Sequence, residues 1–317
     1  MKIRVTPVAF VIFALLACCA FSQEPFQIKF KTVGNGMIVV PVRINGAGRY
    51  DFLVDTGSTD AVVDQKLAEQ LNLPRTGRVI FTTPQRKVNT FRVYADSLSI
   101  AGATVRGLRV CAINHYADLL PNVRGSLGED FLRYFDLLID NQHHVIKFEL
   151  GHGALSDTLD GERLPLSPDD SGDSTRNRLV VAGTLNGRDM MRLQLDSGSP
   201  KVMLFTRVNT FHLISDEQTS RSIGGTLGGS FDADTQVGSL RLGQRSFPNL
   251  TIFVPSNSVL QMGVDGFVPT LLFRSIFISH SGRFVILDPL SKPKLDIPAP
   301  RSTDIAIAQS LRQNVQR

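Results

Sequence analysis

From Ile28 to Leu290, short apolar runs alternate with polar, glycine-bearing turns, a pattern dominated by β-strand periodicity. "MIVVPVRINGAGRYDFLVD" at 37–55 holds two such runs joined around Asn45-Gly46, a pair suited to a tight hairpin. "RLVVAGTLNGRDMMRLQLD" at 178–196 repeats the arrangement around Asn186-Gly187. Helical spacing surfaces only briefly. "DQKLAEQLNL" at 64–73 places Leu67, Leu71 and Leu73 along one side of a short helix, and "FTRVNTFHLI" at 205–214 gives a weaker version of it. One further short helix is expected late in each half, "FLRYF" capped by Asp130 in the first and "LLFRSIF" capped by Thr270 in the second. "HHVIKFEL" and "RFVILDPL" then read as closing strands.

These elements recur at a fixed register. Asp55-Thr56-Gly57-Ser58 and Asp196-Ser197-Gly198-Ser199 lie 141 positions apart, each directly after an apolar strand. The same offset matches Val39 with Val180, Val40 with Val181, Asn45 with Asn186, Gly46 with Gly187, Gly125 with Gly266 and Arg133 with Arg274. "DSLSIAGATVRGLRV" and "GSLRLGQRSFPNLTI" align one position further on. A register kept over so long a stretch predicts two copies of one fold. The copies span 23–150 and 178–290. Residues 151–177, rich in Gly, Ser, Asp and Pro, read as a linker, and 291–317 as a C-terminal tail with one marginal helix.

Residues 1–22 have the layout of a secretory signal: Lys2 and Arg4, an apolar run from Val8 to Ala17, then small residues. Two processing routes stay open. "LLAC" at 15–18 resembles a lipobox, which would make Cys18 a lipidated first residue, while "AFS" at 20–22 fits cleavage before Gln23. The expected location is therefore exported: periplasmic, lipid-anchored in the envelope, or secreted. A membrane is reached only through that anchor. Removing the signal lowers the net charge from +5 to +3, and no basic cluster with interleaved aromatics remains to suggest nucleic-acid binding. Cys111 is the one body cysteine, in the strand-like "LRVCAIN", and is expected to be a buried small hydrophobe.

Asp-Thr/Ser-Gly-Ser after an apolar strand, with "SLGEDFL" at 126–132 downstream, resembles the aspartic proteases of the retropepsin and pepsin families. The resemblance covers both copies. It implies an all-β protein, mostly β with a few short helices, built as two tandem retropepsin-like acid-protease β-barrel lobes. It also implies Asp55 and Asp196 as the catalytic pair, a polypeptide substrate, no cofactor or metal, and a monomer. Two carboxyls held close together cannot both ionise, so they share one proton and can divide the roles of base and acid; aspartic proteases are themselves the standard example of this effect. A fold that supplies one carboxyl must therefore be doubled. Gly57 and Gly198 let the turns aim main-chain N–H groups at the carboxylates. By resemblance, Thr56 and Ser197 hydrogen-bond across to the opposite turn, and Ser58 and Ser199 hold the outer carboxylate oxygens.

The second copy departs from the family pattern in "GFVPTLLF", with Pro269 in place of a glycine. The flaps differ too: "FTTPQRKVNTFRV" at 81–93 lacks glycine, whereas "SIGGTLGGSFDAD" at 222–234 has four. His115, His143, His144, His152, His212 and His280 form no metal-binding spacing, "GGTLGG" lacks the Lys-Ser/Thr of a phosphate loop, and Asp169, Asp170 and Asp173 read as solvated linker acids. The function expected is an aspartic endopeptidase. Its rival is a non-catalytic exported protein that keeps the duplicated fold to bind peptides or a partner.

Overall fold

The structure, a computed structural model, describes residues 25–83, 87–114, 116, 120–151, 153–167, 178–205, 214–215, 221–225, 229–255 and 263–292. The signal with Cys18, most of the 205–214 helix, His115, His152, His212, the linker acids and the tail beyond 292 lie outside these residues. So do residues 84–86 and 226–228 of the two segments read as flaps.

The mostly-β expectation holds. The first copy supplies β1 (Phe26–Lys29), β2 (Lys31–Val33), β3 (Met37–Ile44), β4 (Ala47–Val54), β5 (Val62–Asp64), β6 (Arg75–Thr82), β7 (Lys87–Ile100), β8 (Ala103–Ile113), β9 (Val123–Leu127), β10 (Asp136–Asp140) and β11 (Val145–Glu149). After β12 (Leu159–Asp160) and β13 (Arg163–Pro165), the second copy supplies β14 (Val180–Leu185), β15 (Asp189–Asp196), β16 (Val202–Leu204), β17 (Ile214–Ser215), β18 (Arg221–Gly225), β19 (Gly229–Leu242), β20 (Arg245–Pro255), β21 (Gly266–Pro269), β22 (Ser275–Ser279), β23 (Phe284–Leu287) and β24 (Leu290–Ser291). Asn45 and Gly46 both take positive φ, as do Asn186 and Gly187, so the two hairpins close as their sequences require.

Strand pairing repeats at the sequence offset. In the first lobe β9 is inserted between β4 and β5, parallel to one and antiparallel to the other. In the second, β21 sits likewise between β15 and β16. Val54 pairs with Leu127 and Leu195 with Val268; Val62 pairs with Ser126 and Met203 with Phe267. The glycine shared by the copies has one cause. A Cβ on Gly125 or Gly266 would lie 2.2 Å from the carbonyl oxygen of Val62 or Met203, where the inserted strand crosses.

A six-stranded sheet, ordered β1-β11-β10-β22-β23-β13, joins the lobes. At its seam Leu137 pairs with Ile278, its own counterpart at the 141 offset, as a two-fold relation between copies demands. One buried apolar cluster runs from the first lobe (Val54, Phe131, Phe135) through this sheet (Leu137, Ile139, Ile276, Ile278) to the second (Leu193, Leu195, Val268). The lobes therefore share a core.

Three expectations need correction. The stretch read as linker is structured through Ser167: helix Ala154–Asp157, then β12 and β13, the latter forming an edge of the joining sheet. Its polar composition suits an edge strand open to solvent on one side. Asp130 does not cap its helix. Gly128 holds the cap position of the helix Glu129–Leu132, and its first amides donate to the carbonyls of Ser58 and Thr59, at 2.9 and 3.1 Å. With those amides satisfied from the acidic turn, the Asp130 carboxylate instead accepts from the Ala61 amide at 2.8 Å. Thr270 likewise caps nothing; Pro269 precedes a single 3₁₀ turn, Thr270–Leu272. The helix expected at 64–73 forms over Gln65–Gln70 and is capped by Asp64, which accepts from the Leu67 amide.

Candidate active site

β4 delivers Asp55 and β15 delivers Asp196, so the two strands end face to face. Each turn closes on its own acid: the Gly57 amide donates to Asp55 Oδ1 at 3.1 Å, and the Gly198 amide to Asp196 Oδ1 at 2.7 Å. The turns also bind each other. The Thr56 amide donates to Ser197 Oγ and the Ser197 amide to Thr56 Oγ1, both at 3.0 Å. The hydroxyls pass on their own hydrogens, Thr56 Oγ1 to Leu195 O at 3.0 Å and Ser197 Oγ to Val54 O at 2.6 Å. Both side chains are buried, and the four bonds tie residues 141 apart or nearly so into one unit.

The carboxyls are hydrogen-bonded to one another. Each lies over the other turn's glycine: a Cβ on Gly57 would fall 2.3 Å from Asp196 Cγ, and one on Gly198 would fall 2.5 Å from Asp55 Oδ1. Gly57→Ala or Gly198→Ala must therefore push the facing carboxyl out of the pair. Each is expected to cut turnover by about 10²-fold while costing less stability than a core truncation, measured by steady-state hydrolysis and thermal melting. Wild-type turnover in either variant would contradict this geometry.

Burial and the Asp196 charge raise the Asp55 carboxyl well above the usual range, against the opposing amides of Gly57 and Ser58. Burial also lifts Asp196, to about 6, although the amides of Gly198 and Ser199 and the hydrogen bond from Asp55 restrain it. The two carboxyls thus share one proton, and their ionisations belong to the pair and not to either residue alone.

Ser58 and Ser199 act differently from the expectation. Their hydroxyls donate to Asp60 O (2.8 Å) and Lys201 O (3.0 Å), bracing the chain as it leaves each turn, while their amides face the carboxyls. Several residues around the turns went unread in the sequence. Gln194, buried on the same strand as Asp196, donates to Gly57 O of the opposite turn at 3.0 Å. A polar residue inside the apolar run "MRLQLD" was the available signal. Arg92 of β7 binds Asp60 at 2.7 Å, and burial raises the adjacent Asp130 carboxyl to about 7. Tyr116 is fully buried, and burial followed by the Asp55 charge keeps its phenol neutral.

Cys111 is buried in β8 as expected, with its thiol pushed up to about 12 by burial and the Asp60 charge, which leaves no thiolate. His143 lies in an exposed turn against Asp140. Among the described residues no group of three or more His, Cys, Asp or Glu is placed to hold a metal ion, and no helix is long and apolar enough to cross a membrane.

The second copy lacks the acid of the first at this level. Pro269 and Leu271 stand at the offsets of Gly128 and Asp130 and line, with Pro200, Lys201, Phe247 and Leu250, a surface groove of about 460 Å³. Proline fits because its backbone, at φ −67° and ψ 136°, is already extended there.

The sequence model of the aspartyl protease family matches residues 40–131, which hold the first acidic turn and the Gly128 loop. Among solved structures the chain is similar to a retropepsin-like aspartic protease from Rickettsia conorii, at 17% identity and a TM-score of 0.30, covering 39% of this chain and 91% of that one. No curated protein matches the chain.

Proposed function

We propose that the chain is an aspartic endopeptidase that hydrolyses peptide bonds of an extended polypeptide with a water held between Asp55 and Asp196. One observation carries the reading: a buried and a half-buried carboxyl from different lobes share a hydrogen bond, each seated over the other's turn glycine. A protein that only binds peptides has no need of such a pair. The ionised carboxyl of the pair takes a proton from the water as its oxygen attacks the scissile carbonyl carbon. The protonated one gives its proton to the carbonyl oxygen, so a neutral gem-diol forms. Collapse returns a diol proton to one carboxyl, the other protonates the leaving nitrogen, and the C–N bond breaks. The two carboxyls relay every proton moved between water, diol and leaving nitrogen, and no cofactor takes part. One chain supplies both lobes, so it acts as a monomer, exported and either free or anchored through Cys18.

The test is a peptide-library digest of the mature chain beside its Asp55→Asn variant, with and without a pepstatin-type inhibitor. Inhibitor-sensitive cleavage by the wild type alone supports the enzyme. Inhibitor binding without cleavage would favour the peptide-binding alternative.

The pH dependence follows from the pair. Only the singly protonated pair is competent, so the rate should rise as pH climbs through the pair's first ionisation and fall as it passes through the second. Both carboxyls are raised, so the maximum should lie above the ordinary carboxylate range. A maximum of kcat/KM near pH 3 would refute this.

A further inference from the structure

Two turns lock the lobes together reciprocally, and their chemistry differs. The turn after β10 reaches the second copy: Asn141 Nδ2 donates to the carbonyls of Thr270 and Phe273 at 2.9 and 3.0 Å, and the Gln142 amide to Arg274 O at 3.1 Å. The turn after β22 reaches back to the first copy with an ionisable ring in place of an amide. His280 Nδ1 lies 2.6 Å from Phe135 O, and Nε2 lies 2.9 Å from Glu129 Oε2. A carbonyl only accepts, so Nδ1 carries a hydrogen. A hydrogen on Nε2 as well makes the ring an imidazolium facing a carboxylate, with the two side chains only 3% and 2% exposed.

The charged groups that face His280 are Glu129 from the 129–132 helix and Asp136 from β10. Asp136 is already occupied, accepting from Ser279 Oγ at 3.0 Å, the Ser281 amide at 3.0 Å and Ser281 Oγ at 2.8 Å. Glu129 is not: its Oε1 is buried without a hydrogen-bond partner among the described residues. The buried Glu129 carboxylate therefore depends on His280. Its backbone amide, in turn, donates to Ser58 O, and the next amide to Thr59 O. A path of direct contacts runs from His280 of the second copy to the turn that carries Asp55.

We propose that the His280–Glu129 pair is a cross-lobe latch and His280 a positioning residue for the Asp55 turn. The latch stands on its own geometry. Only its effect on turnover rests on the endopeptidase reading. Burial disfavours the charged ring, but the Glu129 charge and hydrogen bond, the Phe135 carbonyl and Asp136 outweigh it and raise His280 above the usual histidine value. A raised histidine contributes its stabilisation fully below its unfolded value of about 6.5, and loses it as pH rises through the folded value. The latch is thus closed in mild acid and opens in alkali.

The ring is read directly by long-range ¹H–¹⁵N spectra of the intact mature chain. Both nitrogens should be protonated at pH 6, and a neutral His280 there would overturn the proposal. His280→Gln keeps one donor but not the charge. At pH 6 its Glu129 and Asp130 amides should exchange at least about ten-fold faster than in wild type, with the β14–β15 hairpin amides unchanged. The ratio should shrink toward one as pH rises through the His280 titration followed in the same spectra. Glu129→Gln should lower the His280 titration and produce the same exchange, which covers a His280→Gln chain that does not fold. Wild-type exchange at Glu129 and Asp130 in both variants would refute the latch. Where peptide hydrolysis is measured, His280→Gln should lower kcat several-fold at pH 6 with little change in KM. Absence of hydrolysis in the wild type itself, with the ring and exchange results as expected, would reject the endopeptidase reading and leave the latch standing.

Discussion

Asparagine at either acid is expected to abolish peptide hydrolysis, with kcat falling by about 10³- to 10⁴-fold, while the chain stays folded. Each variant removes half of a device that works only as a pair. A carboxamide at either position can neither take the proton of water nor give an acidic proton to the carbonyl oxygen. The two variants should nevertheless differ in stability. Asp196 is buried, and its carboxyl titrates at about 6 in the folded protein. A carboxyl raised on folding contributes its stability fully below its unfolded value and loses it as pH climbs through the folded one. At pH 7 the native protein therefore holds a buried anion at a cost of about 1–3 kcal/mol. Asp196→Asn has no charge to bury, and its side-chain oxygen can still accept from Gly198. It should melt several degrees above wild type at pH 7 and close to it at pH 4. Asp55 is only half-buried, so Asp55→Asn relieves less of that cost and should melt nearer the wild type at pH 7. Calorimetry at both pH values, beside the peptide assay, checks the set. Equal destabilisation of both variants at pH 7 would mean that the carboxyls are held for structure and not for chemistry.

Much of this site is legible in the sequence because its residues are local in kind. Asn45-Gly46 and Asn186-Gly187 dictate hairpins through φ alone, and the acid-hydroxyl-Gly-Ser turns announce themselves by repetition. What stayed hidden depends on partners far along the chain. Asp130 has the composition of a helix cap, but the Ser58 and Thr59 carbonyls already satisfy the helix amides, which frees its carboxylate for Ala61. Arg163–Pro165 has no strand alternation to read, since an edge strand is held by backbone pairing to β23 and not by a buried face. Gln194 looks like an isolated polar residue in an apolar run, and His280 like one more polar residue of the turn "SHSG". Their partners, Gly57 and Glu129, lie 137 and 151 positions away. Only folding brings them together.

The cross-turn contacts make the second large effect. Ser197→Ala removes the acceptor of the Thr56 amide and the donor to Val54 O, leaving two buried backbone groups unpaired. At about 1–3 kcal/mol for each group stranded, the loss is roughly 2–5 kcal/mol. Thr56→Ala strands the Ser197 amide and Leu195 O in the same way and should cost a similar amount. Thr56→Ser keeps the hydroxyl and should be nearly neutral. The double variant decides what kind of unit this is. The two hydroxyls each serve the other residue's amide, so removing the second after the first strands fewer new groups where the turns have already drawn apart. The combined loss should fall short of the sum by about 1 kcal/mol or more, as expected of side chains in one network. Turnover should fall further than stability accounts for, since the same four bonds fix the separation of Asp55 and Asp196. Denaturant unfolding of the three variants, with hydrolysis measured well below each transition, separates the two effects. Strict additivity, or turnover preserved in a folded Ser197→Ala protein, would show that the lobes are aligned by the six-stranded sheet alone and that the turns merely meet.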